Sequence, residues 1–168
     1  MKKNLMLSAI LATMIFPATS PALESATGPA KNCPIKALKD GKDISLSSLK
    51  GKVVYLDFWA SWCGPCAQSF PFMSEMSKLR RKDGLEVIAI SVDESRAEAE
   101  GFIAQHPSDL TIAYDPDGNC PREYGLETMP TSYLIDRKGQ LRHVHRGFNR
   151  NDAEELTRTL DTLIQEKP

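Results

Sequence analysis

The run Val53-Val54-Tyr55-Leu56-Asp57-Phe58-Trp59 is almost unbroken in apolar and aromatic side chains, and three residues separate it from the motif Cys63-Gly64-Pro65-Cys66. A short continuous run of this kind reads as a central strand covered on both faces. That argues a layered arrangement with helices on a sheet. Pro65 suits the first turn of a helix, where its missing N–H removes no intrahelical bond, so the cysteine pair sits at a strand-to-helix junction.

The rest of the pattern fills in the layers. A helix is predicted from about Pro65 to Arg81, with Pro71 expected to kink it one turn past Cys66. Leu85 to Ser91 reads as a second buried strand, Glu94 to His106 as a helix, and Thr111 to Tyr114 as a short strand closed by the turn Asp115-Pro116-Asp117-Gly118. Strands at Ser132 to Asp136 and Leu141 to Gly147 are joined at Arg137-Lys138-Gly139. A terminal helix follows from Asp152 to Gln165, capped by Asn151 or Asp152, with Ala153, Leu156, Leu160, Leu163 and Ile164 on one stripe. Ahead of the core, Gly41 marks a turn between two short strands, followed by a turn of structure at Ser47 to Leu49. Alternating strands and helices followed by a hairpin and a helix predict an α/β fold with a mixed central sheet flanked by helices.

The N-terminal segment has a different character. Residues 1–22 combine Lys2 and Lys3, an apolar stretch from Leu5 to Phe16 and the small residues Ser20-Pro21-Ala22, the composition of a secretory signal peptide. The apolar stretch is short for a permanent membrane anchor, and no cysteine at the expected cut offers a site for lipid attachment. Residues 23–32 are predicted to be a mobile tether, and residues 33–168 the folded domain. Lys and Arg number 21 against 22 Asp and Glu, with no dense basic run in the domain, which excludes a phosphate-backbone footprint and nucleic acid as a partner. Export places the domain in the periplasm or outside the cell, where disulfides persist, so each of the four cysteines has to be weighed for oxidation.

Thiol–disulfide exchange needs a thiolate attacker, a second thiol close enough to resolve the mixed disulfide, and solvent access for the first alone. Two cysteines with two residues between them supply this when the first precedes a helix and the second lies in its first turn. The unpaired N–H groups and the positive end of the helix dipole then favour the Cys63 thiolate, moving its pKa from about 8.5 toward about 7. Zinc would require two further Cys or His ligands at matching spacing, and none is found. His143 and His145 point the same way on a strand, but such pairs are more often solvated surface residues than metal ligands. Asp57 in the middle of a buried strand is costly unless its pKa rises, and a raised pKa makes it a proton acceptor for a buried thiol. The same acid could instead be satisfied by a hydrogen bond from a nearby Lys or Ser.

The run from Val54 to Cys66 resembles the active-site strand and helix start of thioredoxins. The β-element before it, the inserted strand and helix between Leu85 and Tyr114, and Thr128-Met129-Pro130-Thr131-Ser132-Tyr133-Leu134-Ile135-Asp136 are similar to the TlpA/ResA branch of that superfamily, exported thiol–disulfide oxidoreductases. The resemblance implies a thioredoxin-like fold with an N-terminal β-extension and a central βα insertion. It assigns Cys63 as nucleophile, Cys66 as resolving thiol and Asp57 as base toward Cys66. It also implies that Met129-Pro130 is a cis-proline loop beside the pair offering a recognition edge to substrate, where a trans proline in an ordinary turn is the alternative. Trp59 and Trp62 flank the site, Trp62 as a partly exposed ledge for partners, unless they simply pack the core. With Gly64-Pro65 as in thioredoxin, the site is expected to reduce rather than oxidise.

Setting the active pair aside leaves Cys33 and Cys120, for which a structural disulfide is expected; two unpaired thiols or a second redox pair are the rivals. The resemblance implies no cofactor, a monomer, disulfide-containing periplasmic proteins as substrates, and a membrane thiol transporter of the DsbD or CcdA type as electron donor. Family members include apocytochrome c among their targets, but those resembling ResA carry a glutamate three residues after the second cysteine, where this chain has Ser69, which weakens a dedicated cytochrome role. Two competing readings are a redox-inactive copper or partner-binding module and a thiol peroxidase. The second would need a Thr-x-x-Cys site, and Ala60 stands where the threonine would be.

Overall fold

In the computed structural model, which describes residues 24–167, strand β4 (Val53–Trp59) is buried at every position, as apolar side chains on both faces of a strand require. It pairs in parallel with β5 (Leu85–Ser91) and antiparallel with β7 (Thr131–Ile135). Beyond β5 lies the parallel strand β6 (Thr111–Tyr114), and the hairpin of β2 (Ile35–Ala37) and β3 (Asp43–Ile44) closes that side. On the other side β8 (Leu141–Arg146) pairs antiparallel with β7, and β1 (Glu24–Ser25) with β8. The result is one mixed eight-stranded sheet in the order β1-β8-β7-β4-β5-β6-β2-β3.

Alternation along β4 divides the interior in two. Val53, Tyr55 and Trp59 face helices α1 (Gly64–Arg80), α2 (Arg96–Gln105) and α4 (Asp152–Gln165), meeting Phe70, Met73, Phe102, Leu156 and Leu160. Val54, Leu56 and Phe58 face the opposite way, toward Cys33, Ile35, Leu46, Tyr133 and the short helix α3 (Asn119–Tyr124). Pro71 lies within α1 without ending it. The expected terminal stripe is buried at Leu156, Leu160 and Leu163, while Ala153 and Ile164 pack at its margin. Ser95 caps α2 through a reciprocal pair with Glu98, which starts that helix after Glu94 rather than at it.

Three expectations change. The described part of the segment 23–32 is no tether: β1 pairs with β8, the Ala26 N–H donates to the Arg142 carbonyl at 2.9 Å, and Pro29 bridges to Gln140. Its small residues let it lie along an otherwise open sheet edge, which supplies the backbone partners that sequence composition does not reveal. The helix α3 has too short a pattern to read from sequence; it follows the Gly118 turn, with Gly118 at φ 62°, and the buried Asp115 carboxylate accepts from the Cys120 N–H at 2.6 Å. His145 is buried rather than solvated, its ring nitrogen Nε2 lying 3.2 Å from Asp152 Oδ2. The signal segment 1–22 lies outside the described residues.

Cys33 and Cys120 are disulfide-bonded, with their Cα atoms 5.1 Å apart and a sequence separation of 87. The bond fastens the β-extension to the region after β6. Closing a loop of that length constrains the unfolded chain by about 4–5 kcal/mol in the chain-entropy account. Replacing both cysteines with Ala is therefore expected to lower unfolding free energy by roughly that amount in urea titrations of the oxidised protein, without slowing exchange at Cys63. A loss under about 1 kcal/mol would show that the bond carries little of the stability.

Candidate active site

Cys63 is the N-cap of α1, and its Sγ accepts the Cys66 N–H at 3.3 Å. This is the contact that a negatively charged sulfur would exploit: a backbone donor of the first turn, shared with the Cys63 carbonyl at 3.1 Å, at the positive end of a 17-residue helix. The two sulfurs are joined in the structure, with Cα atoms 5.2 Å apart. Cys63 retains 6% exposure and Cys66 none, so solvent or an incoming substrate meets the first sulfur and not the second. Gly64 and Pro65 form the first turn between them, and Ser69, buried below, donates its hydroxyl to the Cys66 carbonyl at 3.0 Å.

The two tryptophans separate cleanly. Trp59 is wholly buried against Phe70 and Phe102, with ring centroids at 5.0 and 4.7 Å, and belongs to the core. Trp62, immediately before Cys63, is 71% exposed and leaves a large apolar surface beside the sulfur. The Met129-Pro130 peptide bond is cis, and Met129 packs against the cluster that contains both active-pair cysteines. Among the described residues the Met129 N–H and carbonyl take no hydrogen bond, so an extended backbone has an unpaired edge to meet.

Asp57 is fully buried on the α1 side of β4, between Tyr55 and Trp59 on a face shared with Cys66. Its Oδ2 accepts the Ser132 hydroxyl at 2.6 Å, and its Oδ1 has no partner. Burial pushes the carboxyl pKa up to about 7, with the Ser132 hydrogen bond pulling the other way. An acid poised near neutrality can take a proton at one pH and return it at nearly the same pH.

One carboxylate outside the expected set holds the site in place. Asp93 is buried and accepts the Ser61 N–H at 2.9 Å, the Ser61 hydroxyl at 2.8 Å and the Ser91 hydroxyl at 2.8 Å, which pins the loop between β4 and Cys63. The signal was present in the strand lengths. With Trp59 paired to Ser91 in parallel register, the residue two beyond Ser91 falls beside the residue two beyond Trp59. His143 and His145 are not brought into any cluster able to hold a metal ion among the described residues.

A sequence-family profile described as Redoxin matches residues 16–161. The chain belongs to the redoxin family. Within the thioredoxin superfamily this redoxin is of the ResA/TlpA type. It is 37% identical over 102 residues to the thiol–disulfide oxidoreductase ResA of Bacillus thuringiensis subsp. konkukian, covering 61% of this chain and 59% of that protein. The redoxin thus spans about three fifths of the length of the curated relatives it matches. Among solved structures, a Chlorobium tepidum protein described as a candidate thiol:disulfide interchange protein DsbE aligns with a TM-score of 0.79 at 42% identity, covering 85% of this chain and 99% of that one. The exposed lipoprotein thioredoxin Etrx1 of Streptococcus pneumoniae strain TIGR4 aligns at 0.68 and 33% identity, covering 79% and 100%. These likenesses establish the thioredoxin-like fold.

The raised Asp57 pKa has a consequence for stability. Between the unfolded value near 4 and the folded value of about 7, the native protein holds a proton that the unfolded chain releases, so unfolding free energy falls as pH rises through that window. Asp57→Asn removes the titration. Relative to the parent, the oxidised variant is expected to gain stability between pH 4 and pH 8 by on the order of 3–4 kcal/mol, read from urea unfolding at the two values. An equal difference at both pH values would mean that Asp57 ionises as an ordinary surface acid.

Proposed function

We propose that this redoxin is an exported thiol–disulfide oxidoreductase that reduces disulfides of periplasmic proteins through Cys63 and Cys66. The observation that carries the reading is the unequal treatment of the two sulfurs: Cys63 at the helix mouth with a backbone donor aimed at it, Cys66 fully buried behind. In the proposed cycle the Cys63 thiolate attacks a substrate disulfide and forms a mixed disulfide, releasing one substrate thiol. Cys66, deprotonated by Asp57, then attacks Cys63 sulfur; the Cys63–Cys66 bond forms, and the second substrate thiol leaves with the electron pair. Two electrons pass from the dithiol to the substrate, and the oxidised protein returns to a reductant.

Several features support the finer points. Trp62 and the free edge at Met129 provide an apolar ledge and an extended backbone partner for a peptide beside Cys63. The basic and apolar start of the sequence, and the word exposed in the pneumococcal relative's name, favour export to the periplasm or cell surface. A membrane thiol transporter of the DsbD or CcdA type is the electron donor that the resemblance implies. Ser69 in place of the ResA-type glutamate favours a broader substrate range than cytochrome maturation alone.

Insulin-disulfide reduction by the reduced protein tests the activity. Cys63→Ser is expected to abolish it, and Cys66→Ser to accumulate mixed disulfides that can be isolated and their partners identified. Asp57→Asn is expected to slow resolution roughly 10-fold or more while changing mixed-disulfide formation less than about 2-fold, as read by stopped-flow. Insulin reduction that survives Cys63→Ser would exclude the mechanism. An inactive parent protein with an ordinary thiol titration at Cys63 would favour a binding module instead.

A further inference from the structure

We infer that Ser132 is a positioning residue for the resolving half-reaction: its hydroxyl, backed by Tyr55, occupies one oxygen of Asp57 and reserves the other, Oδ1, to receive the Cys66 proton. The inference rests on the reading of Asp57 as base and concerns how that base is held.

Register brings the residues together. Asp57 on β4 lies opposite Ser132 on β7, which lies opposite His145 on β8, so the three side chains form a row across adjacent strands on one face. Ser132 Oγ is 2.6 Å from Asp57 Oδ2 and 3.1 Å from Tyr55 Oη. A serine hydroxyl has one hydrogen and can also accept. When Asp57 is ionised it can only accept, so Ser132 donates to Oδ2 and Tyr55 donates to Ser132. Burial and the neighbouring Asp57 charge hold the Tyr55 phenol above its usual range, so it keeps its proton in this role. Every hydroxyl hydrogen in the set is then committed, and Oδ1 is the one Asp57 oxygen without a donor.

The other groups around Asp57 leave this assignment intact. On β5 its partner is Ala89, which offers no side-chain donor. On β8 and α4, His145 and Asp152 are engaged with each other, and Asp152 also takes the Asn149 N–H at 2.8 Å. On α1, Cys66 lies in the buried cluster on the face that Asp57 shares. Proton balance is simple: the Cys66 S–H bond breaks, Asp57 Oδ1 gains the hydrogen, the Cys66 sulfur lone pair forms the bond to Cys63, and the departing substrate sulfur leaves as thiolate. Removing the Ser132 hydroxyl withdraws a donor that favours the ionised acid, so Asp57 would titrate higher and be protonated, hence unable to accept, over more of the neutral range.

The test uses the reduced full-length protein and dithiobis(nitrobenzoate). Attack by Cys63 releases one thionitrobenzoate, and attack by Cys66 on the mixed disulfide releases the second, so the two steps are read separately. For Ser132→Ala the pH midpoint of the second release is expected to rise by about one unit, with a rate at pH 7 about 3- to 10-fold below the parent. Ser132→Thr, which keeps the hydroxyl, is expected to retain the parent midpoint. Tyr55→Phe, a second variant should Ser132→Ala not fold, is expected to move the midpoint the same way by less. A carboxyl-carbon NMR titration of Asp57 should show the same upward shifts without any turnover. If Asp57→Asn slows the second release but neither Ser132→Ala nor Tyr55→Phe moves the midpoint or the NMR titration, the inference is wrong and the base survives. If Asp57→Asn leaves the second release at the parental rate, the base reading itself fails.

Discussion

A backbone N–H aimed at a sulfur from the first turn of a helix is the contact on which the site depends, and that contact is fixed by where α1 starts. β4 is buried on both faces, so its end is fixed in the sheet, and Asp93 anchors Ser61 in the loop that follows. Only three residues lie between Trp59 and Cys63. The chain has little freedom in which to misplace the N-cap. Pro65 then commits the next residues to helix, and apolar contacts of Phe70 and Met73 fix the axis against the sheet. Electrostatic bias at Cys63 is thus a by-product of packing elsewhere. It requires no charged neighbour.

Burying Asp57 runs against that economy. A carboxyl group with no exposure costs stability whenever it ionises, and one hydrogen bond from Ser132 offsets only part of the cost, which is why its pKa settles near neutrality. For the base role proposed for Asp57, a surface acid would serve poorly, because it would be ionised at every physiological pH and too weak a base for a thiol. An unpartnered buried acid would stay protonated and serve no better. The single serine places the group between those extremes.

Much of this could be read before any coordinates existed, and the reason is local. β4, β5, the cysteine motif and the terminal helix each declare themselves through periodicity or through residues with fixed backbone preferences. Their boundaries depend on nothing distant. The pairing partners do not have that property. That Asp57 would meet Ser132, 75 residues away, depends on β7 lying antiparallel beside β4 in one register out of several. His145 was taken for a surface residue because alternation says which residues share a face and not whether a helix covers it; Asp152 and α4 supply the cover. The segment ahead of Cys33 read as a tether because small polar residues bury little, yet a strand edge can hold such a segment by backbone bonds alone.

Two sulfurs with two residues between them would be chemically alike in solution, and the proposed exchange cycle needs them unlike. The fold separates them by two independent means. In the proposed cycle the N–H aimed at the Cys63 sulfur from the first helical turn favours its thiolate, so attack by Cys63 needs no base. Cys66 is wholly buried, and Asp57, the base proposed for it, is equally buried. In the proposed cycle the order of events follows from that asymmetry: the sulfur that retains some exposure attacks first, and the wholly buried one follows. A site that gave both sulfurs the same donors would have no such order, and either thiol could be trapped by the first partner it met.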